Sequence, residues 1–242
     1  MKYMGSKSRI AKYIVPIIQE YIDTNEIKNY LEPFVGGANV IDKVKCEHKY
    51  GFDNNKYLIA LLQQAKINPS IIPETIDKQT YDYVRQNYQD CSFDDWFIGL
   101  VGFCASYNAK WFGGYANGVK TKIGTVRNYT DEGIRNLVKQ SLNLEGIKFK
   151  CCDFKTIDPS KVKGFVIYND IPYRNSTKYS KDEFDYEFFY DWCRELSKNN
   201  TVLTSEYWMP DNFECIWQKE IKCTLDNNSR SDKVEKLFVW KG

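Results

Sequence analysis

Histidine is almost missing from this chain: His48 is the single one among 242 residues. One imidazole argues against a serine–histidine–aspartate hydrolase and is a poor start for a zinc centre. The eight cysteines include no Cys-x-x-Cys pair, so neither a zinc ribbon nor a thiol–disulfide motif is expected. They are read as reduced and mostly buried, which points to the cytoplasm. Long apolar runs are missing too. None approaches the roughly 18 residues of a membrane helix, and the opening MKYMGSKSRI has no apolar stretch of the kind a signal peptide carries. The expectation is a chain with no membrane segment and no cleaved leader. No internal repeat and no low-complexity tract is present. A surplus of one charge is also lacking, since 34 Lys and Arg face 32 Asp and Glu. A nucleic-acid partner would therefore have to be served by local charge, not by the total.

Aromatic and apolar residues are plentiful. The chain is 43% hydrophobic and 16% aromatic, with 18 Tyr and 14 Phe, enough for a globular core in one sizeable domain or one domain with an insertion. Short apolar segments at 28–34, 48–53, 147–154, 164–170, 201–207, 215–223 and 234–240 read as strands. Between them lie helical patterns. Over 7–22, Ile10, Tyr13, Ile14, Ile17, Ile18 and Tyr21 share one stripe. Residues 54–65 open on an Asn cap, and 185–198 carry an aromatic stripe read as core. This alternation predicts an α/β fold with helices on both faces of a sheet of about seven strands. The rhythm breaks at 67–145. Pro69 and Pro73 interrupt it, helices are expected near 77–88 and 94–105, and 107–130 reads as a hairpin or loop. The division is a sheet domain of 1–66 and 146–242 with 67–145 inserted.

Three places carry the chemistry. In LEPFVGGANV (31–40) a strand meets a glycine pair and then an expected helix, a turn that lets backbone approach a ligand closely. The full Gly-x-Gly-x-x-Gly pattern is absent, which argues against a nicotinamide cofactor. Asp53 closes the next strand, where a carboxylate can take both hydroxyls of a ribose or simply cap a helix. Asp170 closes the apolar run GFVIY, followed by Ile171, Pro172 and Tyr173. In an open α/β sheet, ligands bind beyond the carboxyl ends of the strands, so all three would share one rim.

With KYMGSK at 2–7, EPFVGGANV, GFDNN and the tetrapeptide DIPY, the chain resembles the Dam-like, D12 class DNA adenine-N6 methyltransferases, the phage-type members above all. The similarity runs nearly its full length, through FCASYNAKWFGGYANG, TKIGTVRNYT and the closing SRSDKVEKLFVW. The resemblance implies a Rossmann-like methyltransferase sheet with a DNA-recognition insert. It also implies S-adenosylmethionine as cofactor and double-stranded DNA as partner, with no metal. By motif match, Tyr3, Met4 and Lys7 lie against the cofactor. Glu32, Pro33, Phe34 and Gly36 surround its methionine part, Asp53 holds the ribose, and Asp153 and Phe154 meet the adenine. Asp170 touches both cofactor and target. A monomer or weak dimer, in the cytoplasm of a bacterial cell or a phage-infected host, completes the expectation; a nuclease partner, as in restriction–modification, is left open.

An aromatic amine is a poor nucleophile until its hydrogens are held. On this reading the Asp170 carboxylate and the carbonyl of Ile171 hold them, and the bonds strengthen as charge develops on nitrogen. Tyr173 offers a flat face, and Pro172 keeps residue 171 extended. A stacked base cannot reach such a pocket, so it is flipped out. Where the family pattern has proline, this chain has Ile171. The position acts through its carbonyl, so an active enzyme is expected, with an inactive homologue that binds cofactor and DNA as the rival. RNA, or the N4 amine of cytosine, is the other rival target. Family members acting on cytosine tend to carry serine where Asp170 stands, which favours adenine.

DNA contact is expected from 107–140, where six Lys and Arg face two acidic residues. Tyr107, Asn108, Lys110, Trp111, Lys122, Arg127 and Asn128 are the candidates, cations for phosphate and aromatics or amides for bases. Ser229 to Lys233 are expected in a loop near the target base.

Overall fold

Strands buried on both faces read as near-continuous apolar runs, and the run at 164–170 sits at the middle of the molecule. A computed structural model describes residues 1–90, 93–120, 124–174, 184–221 and 233–241. Its strands are β1 (Asn29–Glu32), β2 (His48–Asp53), β3 (Val119–Lys120), β4 (Val126–Arg127), β5 (Ile147–Cys151), β6 (Phe165–Asp170), β7 (Thr201–Glu206), β8 (Phe213–Ile221) and β9 (Lys233–Trp240). Seven of them form one sheet in the order β5-β2-β1-β6-β7-β9-β8, and β3 pairs with β4 in a small hairpin. The strands β5, β2, β1, β6 and β7 run parallel. Strand β9 is antiparallel to both neighbours, β7 and β8. All seven sheet strands fall on the segments expected from the sequence.

Side chains alternate between two cores, as the two-residue period of a strand requires. Tyr30, Val166, Tyr168, Leu203 and Leu237 enter one core, and Leu31, Ile167, Val202 and Phe238 the other. The first core lies under α1 (Ala11–Thr24) and α2 (Lys56–Ile67). Ile14, Ile18 and Ile22 of α1 are buried there, and Asn55 caps α2 by accepting from the Leu58 N–H. The second core is the aromatic stripe Phe189, Tyr190 and Trp192 with its sheet partners.

The chain moves outward from β1 to β2 and β5, then returns to the other side of β1 with β6. That reversal opens a crevice at the carboxyl ends of β1 and β6, the place where doubly wound sheets bind ligands. Glu32, Asp53 and Asp170 are the last residues of β1, β2 and β6, so one rim carries all three.

Residues 67–145 hold α3 (Lys78–Asn87), α4 (Asp95–Gly99), the hairpin and α5 (Tyr129–Ser141). Leu100, Val101, Phe103, Ile134 and Leu137 join the same buried cluster as Ile14 and Leu58. The helix expected near 94–105 is present, as a short α4 that continues into a π-helical turn, Leu100–Cys104. Two expectations are corrected. The helix expected after the glycine pair is replaced by successive turns over 33–43, because Gly36 and Ala38 both adopt left-handed φ, +47° and +55°, which a right-handed helix does not accept. The cysteines are not mostly buried. Six are described, all unpaired; only Cys104 and Cys193 are buried, while Cys151 and Cys215 are exposed. The helix α6 (Tyr186–Ser197), with Asp185 as its cap, carries the aromatic stripe and agrees with expectation. No helix among the described residues is long and apolar enough to cross a membrane.

Candidate active site

The rim begins with the turn after β1. Val35 donates to the Phe52 carbonyl at 2.8 Å, which ties the turn to β2. The Gly36 N–H donates to Asp53 Oδ2 at 3.1 Å, and the Asn55 N–H to Oδ1 at 3.0 Å. Burial pushes the Asp53 carboxyl up, and these backbone donors pull against it. Each oxygen keeps a lone pair, so the fixed carboxylate can still accept from a vicinal diol. The glycine pair has a second use. A Cβ on Gly36 would stand 3.0 Å from the Tyr3 ring, and one on Gly37 2.7 Å from Tyr3 Cβ, so only glycine lets the 1–7 segment lie on this turn. Met4 beside it is half-buried.

Behind the turn, Gln140 of α5 reaches in. Its Nε2 lies 3.1 Å from the Gly37 carbonyl, 3.0 Å from that of Ala38 and 3.0 Å from Asp42 Oδ2. No local pattern signals this contact, because Gln140 and Gly37 lie 103 positions apart.

An aromatic wall faces the rim. Phe34 is 5.1 Å from Phe154 and 6.0 Å from Phe184, and Phe154 stacks on Phe184 at 5.4 Å with planes 23° apart. Asp153 is exposed and caps the 3-10 turn Phe154–Thr156 by accepting from the Lys155 N–H at 2.9 Å. Pro33 and Phe154 are buried.

At the end of β6, Lys7 Nζ lies 2.9 Å from Asp170 Oδ1 and 3.9 Å from Glu235 Oε2. It also stands 4.2 Å from the centre of the Tyr173 ring. Burial disfavours the ammonium, but Asp170, Glu235 and Glu206 hold its pKa above the usual lysine value. For Asp170 the balance is opposite: burial raises its carboxyl, and Lys7 holds it back only in part. Tyr173 donates to Glu235 Oε2 at 2.6 Å and meets the Tyr207 ring edge-on at 4.4 Å. Glu206 closes β7, and its two oxygens accept the N–H groups of Arg174 at 3.2 Å and Tyr207 at 2.6 Å. Burial brings its carboxyl up to about 7. Glu32, buried at the end of β1, accepts from the Tyr30 hydroxyl at 2.7 Å, and burial first and Asp170 among its neighbours push it well above the carboxylate range. Three carboxyl groups thus face the Lys7 ammonium, and a fourth is close by. Such a crevice favours a cationic ligand.

Ile171 is 3% exposed, in the cluster of Phe154, Ile167, Phe189 and Met209. Pro172 is exposed, and its carbonyl accepts from the Tyr186 hydroxyl at 2.8 Å. The loop is held by packing at one residue and a hydrogen bond at the next. Sequence reasoning missed Glu206 and Glu235. Glu206 carried a usable signal, a carboxylate at the carboxyl end of a strand beside β6. Glu235 lies in the closing stretch SRSDKVEKLFVW without a role read for it there, and it comes near only through the antiparallel insertion of β9.

The DNA candidates separate on inspection. Tyr107, Asn108 and Lys110 are exposed, on a turn where Asn108 has φ +53°. Arg127 is exposed, but Glu132 takes both arms of its guanidinium at 2.6 and 2.8 Å. Asn128 is the N-cap of α5 and accepts from Thr130 and Asp131 N–H, so its amide oxygen is engaged in the fold. Trp111 stacks on Tyr57 at 5.2 Å and 14° and packs over Gly102; it anchors the loop to the core, where the sequence had suggested a DNA contact. Lys122 and the Ser229–Asp232 stretch lie outside the described residues, and Lys233 opens β9.

Residues 3–222 match the family model described as D12 class N6 adenine-specific DNA methyltransferase. Over 274 residues the chain is 25% identical to the Type II methyltransferase M.MjaIII of Methanocaldococcus jannaschii, an alignment covering 96% of this chain and 93% of that protein.

Proposed function

The chain belongs to the D12 class of N6 adenine-specific DNA methyltransferases, and from that premise we propose that its methyl donor is S-adenosylmethionine, held on the rim described above. It methylates adenine in DNA. When bound, the cofactor supplies an electrophilic methyl group on a cationic sulfur. Asp53 accepts from the ribose hydroxyls, with its orientation set by Gly36 and Asn55. Phe34, Phe154 and Phe184 give apolar cover to the adenine ring, with Asp153 at its edge. Tyr3, Met4, Glu32, Pro33 and Gly36 border the methionine part. The Asp170 and Glu235 carboxylates, which already hold the Lys7 ammonium, favour a cationic ligand, which supports a sulfonium over a neutral nucleoside.

On the acceptor side, Asp170 takes one hydrogen of the flipped adenine's N6 amine, and the Ile171 carbonyl takes the other. Tyr173 carries the ring. One observation supports this assignment above the rest: the Lys7 ammonium already donates to Asp170 while standing over the Tyr173 face. An N–H donor on a flat platform is what the target amine presents. The buried side chain of Ile171 does for the loop what a fixed proline φ would do, which leaves its carbonyl available without the ring.

We assign DNA recognition to residues 67–145, with Tyr107, Asn108, Lys110, Lys122 and Arg127 as contacts. We expect a monomer or weak dimer acting in the cytoplasm. The test is transfer of tritiated methyl from S-adenosylmethionine to DNA by the purified protein, with N6-methyladenine sequencing to locate the site. Asp170→Ala should abolish the signal. A folded wild-type protein that labels no DNA overturns the reading.

A further inference from the structure

Glu235 has no task in that chemistry, yet its carboxylate lies between two groups that do. It comes from β9, where it pairs in register with Lys219 of β8, so it approaches the β6 loop from a separate element. Its Oε2 accepts the Tyr173 hydroxyl at 2.6 Å and lies 3.9 Å from Lys7 Nζ. The same Nζ donates to Asp170 and sits over the Tyr173 ring. A target adenine bound to Asp170 and stacked on Tyr173 needs both of the places the ammonium holds.

The ammonium has to leave Asp170 for the base to enter, and a buried ammonium without a carboxylate is costly. Glu206 also faces Lys7, and each of its oxygens already accepts one backbone N–H, of Arg174 or of Tyr207, but the carboxylates within 4 Å of the ammonium are those of Asp170 and Glu235. Glu235 lies about one ångström beyond hydrogen-bond distance, within reach of a change in the lysine rotamer. We propose that Glu235 is a positioning residue that fixes the Tyr173 ring and receives the Lys7 ammonium when the target amine takes Asp170. The inference rests on the reading of Asp170 and Tyr173 as the target-base site.

The experiment uses the full chain and a duplex carrying the methylated sequence, located by N6-methyladenine sequencing, with 2-aminopurine next to the target adenine, which keeps its N6 amine. Fluorescence of 2-aminopurine rises when the neighbouring base leaves the stack. Glu235→Gln keeps a carbonyl oxygen for Tyr173 and removes the charge. Its fluorescence gain and kcat should fall about tenfold, while DNA affinity by anisotropy stays within about threefold. Adding Lys7→Met removes the competing ammonium and should restore the fluorescence gain. Glu235→Asp, which keeps the charge, should flip the base to within about threefold of wild type. A role confined to structure would not respond to Lys7→Met. Wild-type flipping and turnover in Glu235→Gln overturns the inference alone, as does a double variant no better than Glu235→Gln. A wild-type protein that methylates no DNA overturns the reading of the site, and the inference with it.

Discussion

Lys7 and Asp170 form a 2.9 Å ion pair at the carboxyl end of β6, with side chains only 9% and 23% exposed. Breaking such a pair leaves a buried charge and costs roughly 3 kcal/mol or more, less here because Glu235 stands nearby. Asp170→Asn should therefore lower stability and cut methyl transfer by about a thousandfold, since the amide retains one acceptor and loses the charge. Lys7→Met in that background should recover stability in urea melts without recovering turnover. Turnover within tenfold of wild type in Asp170→Asn would remove Asp170 from the chemistry.

Glu206 links stability to pH. Its folded pKa of about 7 stands above the ordinary glutamate value of 4.5 because of burial. A carboxyl raised by folding favours the native state fully below about pH 4.5, and that contribution fades as pH rises through 7. The loss is up to about 3 kcal/mol. Glu206→Gln does not titrate. Its melting temperature relative to wild type should climb as pH goes from 5 to 8, even if the amide fits the Arg174 and Tyr207 N–H groups less well. A constant difference across that range would mean that Glu206 does not titrate there.

The central strands were legible because they are buried on both faces, so composition alone marked 164–170; 48–53 was marked by its aromatics and the turn residues that follow, although only Gly51 of it is buried. Asp53 and Asp170 were legible for a related reason, since strand ends at a topological switch point are where ligands bind. What stayed hidden depended on contacts distant in sequence. Gln140 meets Gly37 across 103 positions and Tyr173 meets Glu235 across 62, and no local pattern records either. Trp111 looked available for bases because it stands among cations and other aromatics over 107–140. Its stack on Tyr57 of α2 is a tertiary contact that no spacing predicts. The helix after Gly36–Gly37 failed for a local reason: Ala38 is left-handed, a state that a sequence does not advertise outside glycine and asparagine.

Ile171 replaces a ring by packing. With 3% exposure among Phe154, Phe189 and Met209, Ile171→Ala should cost about 2–4 kcal/mol, the usual range for a truncated core isoleucine. Because Phe154 also lines the rim, that variant should bind S-adenosylmethionine more weakly. Ile171→Pro keeps the extended backbone and should turn over within about threefold of wild type, since the carbonyl remains. A rise of a hundredfold in kcat on introducing proline would contradict the view that the carbonyl suffices.

Trp111 and Tyr107 should separate cleanly. Removing Trp111 deletes the Tyr57 stack and contacts to Phe103 and Phe112 at 4.9 and 4.7 Å, so Trp111→Ala should cost about 3–5 kcal/mol. Tyr107 is 61% exposed. Tyr107→Ala should leave the melting temperature unchanged and weaken DNA binding by about tenfold if the ring stacks on a base. Calorimetry and DNA titration on the two variants check both halves; equal melting losses would return Trp111 and Tyr107 to one class.

Arg127 is the cation whose partner should change on DNA. Glu132 holds its guanidinium in a two-pronged pair, and Arg127 and then Lys2 keep the Glu132 carboxyl at about 2. The pair is exposed, with Arg127 53% accessible, so it adds little to stability and can open. A phosphate offers the same two-pronged geometry with more charge. Arg127→Ala should weaken binding to all sequences and make the slope of log affinity against log salt shallower by about one. Glu132→Gln frees the guanidinium and should tighten binding with a slope at least as steep as wild type. Identical slopes in all three proteins would show that Arg127 does not meet the backbone, and that Glu132 is its resting partner with or without DNA.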